Sequence, residues 1–590
     1  MKAKLLALVL TTSLLFNACH PTHVSEPEDN QAFQIFAETL FRSEISDDSL
    51  SLHYTLKHPQ KAGITTLPRG FSSFSHEDLT QAGYSYENTL ATLQQFCRDS
   101  LTKENQILYD VLEETLRFRI QGQKFVSFSE ALGPTTGIQA QLPVLLAEFR
   151  LDSKQDVEQY FFLLRTLPDY FDSLLALEKK KCEWGTLFCR STLEHIISQC
   201  ETFQKEKGSN ILRKTFNNKL KYCSFFTDEE KTKACRQLDR YVTDYVDTAY
   251  QSLLSGLKQL LPLAKENGSL SSYENGTAYY EYLVSQTTGS SFSIAEWETN
   301  MKRKLKSAEE TLLSYAAKDP NLFSSCQSYT TKYRSPNQIL AHLERKIQED
   351  FPLLSRASFE VKYVDEALED YLSPAFYLTP PVDDSKNNII YINPSEKYDP
   401  SSLFNTLAHE GYPGHLYQTC YMYEKNLPNL RSILNFGGYT EGWATYAEIY
   451  SYKYTGVTKD EVGILRNNMI ASLCLYGLCD IGVHYRGWNL EKLENFLQKH
   501  GGYSSDAAAT VYHAVVDEPA SYLKYTVGYL EFSRLKELAK KTWGPEYSEK
   551  NFHCFVLDMG PMSFSLLEKY LHHWKDLMGT KSKQSVAFHP

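Results

Sequence analysis

Between Leu407 and Gln418 the chain reads LAHEGYPGHLYQ, and the spacing of its two histidines decides what kind of structure can surround them. Two histidines four apart on a helix share a face and can hold one metal ion. Here the residue four after His409 is Pro413, and the second histidine, His415, lies six after the first. At about 100° per residue, that separation turns His415 roughly 240° away from His409. A regular helix therefore cannot bring both imidazoles to one ion. Pro413 supplies the alternative, because its ring clashes with the carbonyl of His409 and makes the helix kink, bulge or end. Gly411 and Gly414 give the turn its backbone freedom, and a two-residue bulge would swing His415 back beside His409. The competing reading is a helix that ends at Pro-Gly with two histidines beside it by chance.

Upstream, Asp399 is placed to cap a helix and Pro400 suits its first position, with Leu403, Phe404 and Leu407 forming an inward stripe. Before it, NNIIYIN (387–393) is a short β-branched and aromatic run that reads as a strand. Such a strand beside the motif helix could take an extended peptide along its edge, with Tyr391 and Asn393 as the substrate contacts. It could equally be a structural hairpin arm. Downstream, GGYTEGWATYAEIY (437–450) places Glu441, Ala444 and Glu448 on one helical face. A catalytic zinc takes three protein ligands and keeps one position open. Glu441 can be the third ligand, and Glu448 can orient a ligating histidine from behind. Trp443, Tyr446, Ile449 and Tyr450 imply burial, where a carboxylate needs a partner.

These residues carry a resemblance. EGWATYAE is similar to the EGFAxYxE element of aminopeptidase N-type gluzincins, whose first glutamate is the third zinc ligand, which corresponds to Glu441. The HExxPGH form resembles a family of bacterial, often exported proteins called domain of unknown function 885. That likeness extends through DVEQYFFLLRTLPDYFDSLL, DIGVHYRGW (480–488) and PASYLKYTVGYLEF (519–532), most of the chain. It implies a gluzincin-like metallopeptidase with one zinc ion on His409, His415 and Glu441. Glu410 would be the general base on a zinc-bound water. A further donor would meet the oxyanion, and Tyr525 and His484 are the candidates. The chain departs from the pattern at Ser521, where the family often carries glutamine, and it lacks the GAMEN-type element that anchors a free amino terminus.

The rest of the chain is helical in period. Apolar residues recur at three-and-four spacing over 155–181, 243–266, 296–318 and 336–350. The expected fold is mainly α: a large helical, metallopeptidase-like body with a cleft and a small β element next to the motif helix. Its domain covers 32–580, with two lobes divided near residue 330 as an option and 581–590 as a tail. The chain has 40 tyrosines and 32 phenylalanines, which suit a large core and a cleft that packs against peptide or sugar, although abundant tyrosine is more often plain packing. A net charge of −11 argues against nucleic acid as a partner.

The first residues, MKAKLLALVLTTSLLFNACH, have a basic start and an apolar run too short to span a bilayer comfortably. Residues 1–18 resemble a bacterial lipoprotein signal, with Cys19 as the lipidated mature terminus, although Phe16 and Asn17 depart from the usual residues. Residues 19–31 read as a flexible tether. The implied location is the cell membrane or outer membrane, held by N-terminal lipid alone and facing away from the cytoplasm. In an oxidising compartment Cys182 could pair with Cys189, and Cys200 with Cys223 or Cys235; reduced, buried cysteines are the alternative. The sequence thus leads to an exported, lipid-anchored zinc peptidase. The alternative is a catalytically inactive helical lipoprotein that binds peptides or a partner protein.

Overall fold

The computed structural model describes residues 26–574 apart from 206–208, 328–332, 334, 356, 365, 367–368, 370–372 and 396–401. Cys19, residues 19–25 of the tether, and the expected cap at Asp399 and Pro400 lie outside the described residues; residues 26–31, also expected as tether, are instead the first turns of the helix Glu26–Ile45.

The chain is mainly helical, and its helices start and stop on local signals. Lys154–Trp184 begins where the Ser153 side chain accepts the Asp156 N–H, and it ends at Gly185 with φ 74°. Ser293 and Glu296 form a reciprocal capping box that opens Ile294–Lys318. Ser335 caps Pro336–Lys346, with proline in the first turn. The period expected over 243–266 resolves into three pieces, a π-turn at Val242–Asp247, an α-helix at Thr248–Leu260 and a 3-10 turn at Leu261–Leu263. Pro262, which has no N–H to donate, marks the last change.

Buried side chains gather into two clusters. One is drawn from residues 132–264, and the other from 33–128 and 270–574 together with Cys189. The clusters divide the chain at 128–132 and 264–270. Within the second cluster, Lys459–His484 is apolar and long enough to cross a membrane, but it packs against Ile294–Lys318. Gly437–Ser451 and Ser521–Trp543 approach so closely that a Cβ on Gly442 would lie 2.6 Å from the Gly528 carbonyl carbon. The two glycines let these helices touch backbone to backbone, which sets Glu441 beside the Lys524–Tyr525 pair.

Three strands form one sheet: β1 (Phe359–Tyr363), β2 (Ala375–Leu378) and β3 (Asn388–Ile392). Their order is β1-β3-β2, with β3 parallel to β1 and antiparallel to β2. This corrects the edge-strand expectation for 387–393. The strand exists, but it is central, and both of its hydrogen-bonding sides are taken. Tyr391 and Asn393 are buried and already engaged. The Tyr391 hydroxyl donates to Glu148 and its ring stacks on Phe376 at 4.9 Å. Asn393 donates from Nδ2 to the Glu369 carbonyl at 2.7 Å, and its N–H bonds the Pro374 carbonyl. Neither side chain is free to meet a substrate. The eleven described cysteines are all free thiols, so none of the considered disulfides is present.

Candidate metal centre

The motif helix, Leu403–Glu410, ends at the point where proline forbids it to continue. The Gly411 N–H closes its last turn on the Leu407 carbonyl at 2.9 Å. A turn follows, with a cis peptide between Tyr412 and Pro413, and a second helix runs over His415–Glu424. The histidines thus sit on two successive helices, rather than on one bulged helix. Gly414 makes the turn possible, because any side chain there would collide with the His409 carbonyl. The turn is fastened from outside as well: Trp443 donates from Nε1 to the Pro413 carbonyl at 3.0 Å. That bond ties the glutamate-bearing helix Gly437–Ser451 to the segment between the histidines.

The consequence is convergence. The His409 and His415 rings have centroids 4.9 Å apart at 79°. One oxygen of Glu441 lies 3.5 Å from His409 Nε2 and 3.3 Å from His415 Nε2. Both separations exceed an ordinary charge-assisted hydrogen bond. They match the edge of a tetrahedron of ligands set about 2.0–2.1 Å from a central zinc, which is about 3.3 Å. The other nitrogen of His409, Nδ1, meets Glu448 Oε2 at 3.2 Å. With a metal bound, a proton kept on Nδ1 by that contact would leave Nε2 as the ligating nitrogen.

The electrostatics have the sense a cation site requires. Burial would lower His409, but the carboxylates of Glu441 and Glu448 prevail and hold it well above the usual histidine range, so the surroundings favour positive charge at this ring, a proton when no metal is bound. Burial would raise Glu441, yet the two imidazoles beside it hold it well below the usual carboxylate range. Among the described side chains, His409, Glu410 and His415 also bring ligand-type atoms within 4.8 Å of one another. Glu441 is nearer to both imidazoles than that limit requires. Glu410 is meanwhile held by the β2 backbone, its Oε2 accepting the Tyr377 N–H at 2.9 Å. The donor set that could hold one zinc is therefore His409, His415 and Glu441, with Glu410 beside it, its other oxygen without a hydrogen bond to the described residues.

Tyr525 is near this group, its ring centroid 6.2 Å from that of His409. Burial first, and then the charges of Glu441 and Glu410, push its hydroxyl well above the usual tyrosine range, so it is protonated at neutral pH. Its hydroxyl makes no hydrogen bond to the described residues. Lys524 is the neighbour that sequence reasoning missed. Its Nζ lies 4.0 Å from the second Glu441 oxygen and 5.2 Å from the centre of the Tyr525 ring. The signal was its position one before Tyr525, in a motif read only for tyrosine.

His484 is elsewhere, and this corrects its candidacy as an oxyanion donor. It is fully buried: Nδ1 accepts the Leu270 N–H at 3.2 Å and Nε2 donates to the Val515 carbonyl at 2.8 Å. Burial lowers its pKa to about 4, so it is a neutral core histidine with no free nitrogen. The DIGVH segment contributes in another way. Buried Asp480 accepts the Tyr280 hydroxyl and, at 3.1 Å, the Ala520 N–H, which pins the start of the helix that carries Tyr525.

A family model described as "Bacterial protein of unknown function (DUF885)" matches residues 61–571. No curated protein matches the sequence. A solved structure titled "The crystal structure of the putative lipoprotein from Colwellia psychrerythraea" is similar at a TM-score of 0.83 and 20% identity, over 93% of this chain and 99% of that one. Another, "a putative lipoprotein of unknown function from Shewanella oneidensis", is similar at a TM-score of 0.64 and 14% identity, over 93% of this chain and 100% of that one.

Proposed function

The chain belongs to the family of bacterial proteins known as DUF885, whose description assigns no chemistry, and from the site itself we propose that it is an exported, lipid-anchored, zinc-dependent peptidase. The observation that carries the reading is the meeting of two imidazole nitrogens and one carboxylate oxygen at tetrahedral spacing, with Glu448 behind one imidazole. His409, His415 and Glu441 hold the metal, and Glu448 orients His409. Zinc held there supplies Lewis acidity, polarising a carbonyl and lowering the pKa of a water to about 7.

The remaining work falls to the chain. Glu410, fixed through one oxygen by the Tyr377 N–H, takes the proton from the attacking water on its other oxygen and passes it to the leaving amine. Tyr525, kept protonated by burial and the adjacent carboxylates, donates to the oxygen on which negative charge develops. The β2 edge, which already presents the Tyr377 N–H to Glu410, aligns an extended substrate backbone with the site. The signal-like N-terminus with Cys19, and the two similar structures whose titles read "putative lipoprotein", support lipid anchoring outside the cytoplasm.

The test is metal content and peptide hydrolysis in the purified chain and in Glu410→Gln. The expected result is one zinc per chain in both, with hydrolysis lost only in the variant. A chain that takes up no zinc, or a Glu410→Gln protein as active as the parent, overturns the reading.

A further inference from the structure

A second charged feature stands apart from the metal centre and is independent of its reading. Arg431, in the short turn Asn429–Ser432, is 2% exposed. Its Nη2 donates to the Met559 and Pro561 carbonyls at 2.7 and 2.8 Å, clasping the chain on either side of Gly560. Those bonds use one of the three guanidinium nitrogens. Nε is buried without a partner, and Nη1 makes no hydrogen bond to the described residues. No carboxylate among the described residues comes within ion-pair distance. Burial lowers its pKa, but only to about 10, so the group is charged at neutral pH.

A buried, unpaired charge is costly, and buried arginines ordinarily have a carboxylate or phosphate in their fork. Arg431 instead lines a cavity of about 550 Å³. That volume is in the range of sites for small molecules. Two other elements bring carboxylates to the same space, Glu104 from Lys103–Gly122 and Glu38 from the helix Glu26–Ile45, the latter also 3.9 Å from Arg42 Nε and accepting from Asn429 Nδ2 at 3.4 Å. Glu104 acts on Arg431 through its charge without touching it. Leu108 and Leu430 add apolar wall. A ligand that is only anionic would satisfy the arginine while facing two carboxylates. A ligand that is only cationic would leave the arginine unpaired.

We propose that this cavity binds a small zwitterion of the amino-acid class, a free amino acid or a short peptide, with its carboxylate on the unpaired guanidinium of Arg431 and its ammonium toward Glu38 and Glu104. The leucines of the wall suit an aliphatic side chain. The site lies at the end of the segment that follows the His415 helix, on separate residues from the metal ligands, so its occupancy can be measured without reference to catalysis.

Calorimetric titration of the full chain with L-leucine, leucyl-leucine, leucinamide and 4-methylpentanoate tests this. Leucine or leucyl-leucine binds at millimolar concentration or below, and whichever binds more tightly identifies the source of the zwitterion. Leucinamide, which lacks the carboxylate, and 4-methylpentanoate, which lacks the amine, bind at least about tenfold more weakly. Arg431→Lys weakens the zwitterion by at least about tenfold. Because Arg431 also clasps the chain around Gly560, Glu104→Gln is the second variant; it leaves the clasp intact and narrows the preference for leucine over 4-methylpentanoate. Failure of both leucine and leucyl-leucine to bind, equal binding of all four probes, or affinities unchanged in both variants overturns the proposal.

Discussion

Replacing Glu448 by alanine removes the group behind the first histidine while leaving all three proposed ligands in place. The contact it deletes is 3.2 Å long, between side chains that are 14% and 13% exposed, so solvent does little to screen it. Partners that orient a ligating histidine are worth about 10- to 100-fold in metal affinity, which is about 1.4–2.7 kcal/mol. The burial of this pair puts Glu448→Ala toward the upper end. Glu448→Gln separates orientation from charge, because an amide oxygen still accepts the Nδ1 proton and fixes the ring; it should lose about tenfold or less. The assay is competition for zinc against a chromophoric chelator, accompanied by melting of the metal-free proteins to show that both variants are folded. A folded Glu448→Ala protein whose zinc affinity stays within about twofold of the parent would refute the reasoning, since His409 would then not be a ligand held in register from behind.

Other outcomes follow from the same geometry. Tyr525→Phe should lower kcat by about 10²- to 10³-fold with a much smaller change in KM, as expected for a donor that acts on developing charge; steady-state kinetics on a hydrolysed peptide decides it, and an unchanged kcat removes Tyr525 from the mechanism. Gly442→Ala should destabilise the protein by about 1–3 kcal/mol, because its Cβ meets the Gly528 backbone and no flexible side chain can yield; comparison of denaturation midpoints checks it, and parent-like stability would deny the close approach. His484 has its pKa lowered to about 4 in the folded chain, against about 6.5 when exposed. The unfolded chain therefore binds the extra proton first, and stability from this group is complete above about pH 6.5 and is lost as pH falls toward 4. Melting temperatures from pH 7.5 to 4 should fall less steeply for His484→Gln than for the parent; parallel curves would contradict a buried neutral imidazole.

The helical character of the chain was legible because apolar period and caps agree, as at Ser153, Ser293 and Ser335. The strand at 388–392 was legible too, but its central place was not. Position in a sheet depends on partners from 359–363 and 375–378 that carry no local mark of their order. At the candidate site, helix geometry put Glu441 and Glu448 on one face and required a break between His409 and His415, and the likeness of HExxPGH and EGWATYAE to known motifs is what grouped the four. His484 could not be judged that way. What takes it out of play is two backbone groups, Leu270 N–H and Val515 carbonyl, from segments distant in sequence. Tyr391 misled for the same reason, since the carboxylate that occupies its hydroxyl belongs to Glu148. Lys524 was passed over because a lysine in a first helical turn is ordinarily solvated, and the Gly442–Gly528 approach brings it to Glu441.

The bond from Trp443 to the Pro413 carbonyl also bears on the order of events in the life of the chain. Where a metal must assemble its own ligands, the apoprotein is unfolded and loading is folding. Here the turn between the histidines and the helix of Glu441 are joined by the protein itself, and the surrounding helices bury a core that owes nothing to an ion. On the proposed reading, a polypeptide built this way would be threaded out of the cytoplasm as an extended chain, reach its shape unaided on the far side, and acquire its cation last. The metal supply that mattered to it would then be the one outside the cell's interior, and scarcity there would leave a pool of intact, silent molecules that could be switched on by adding metal, with no new synthesis.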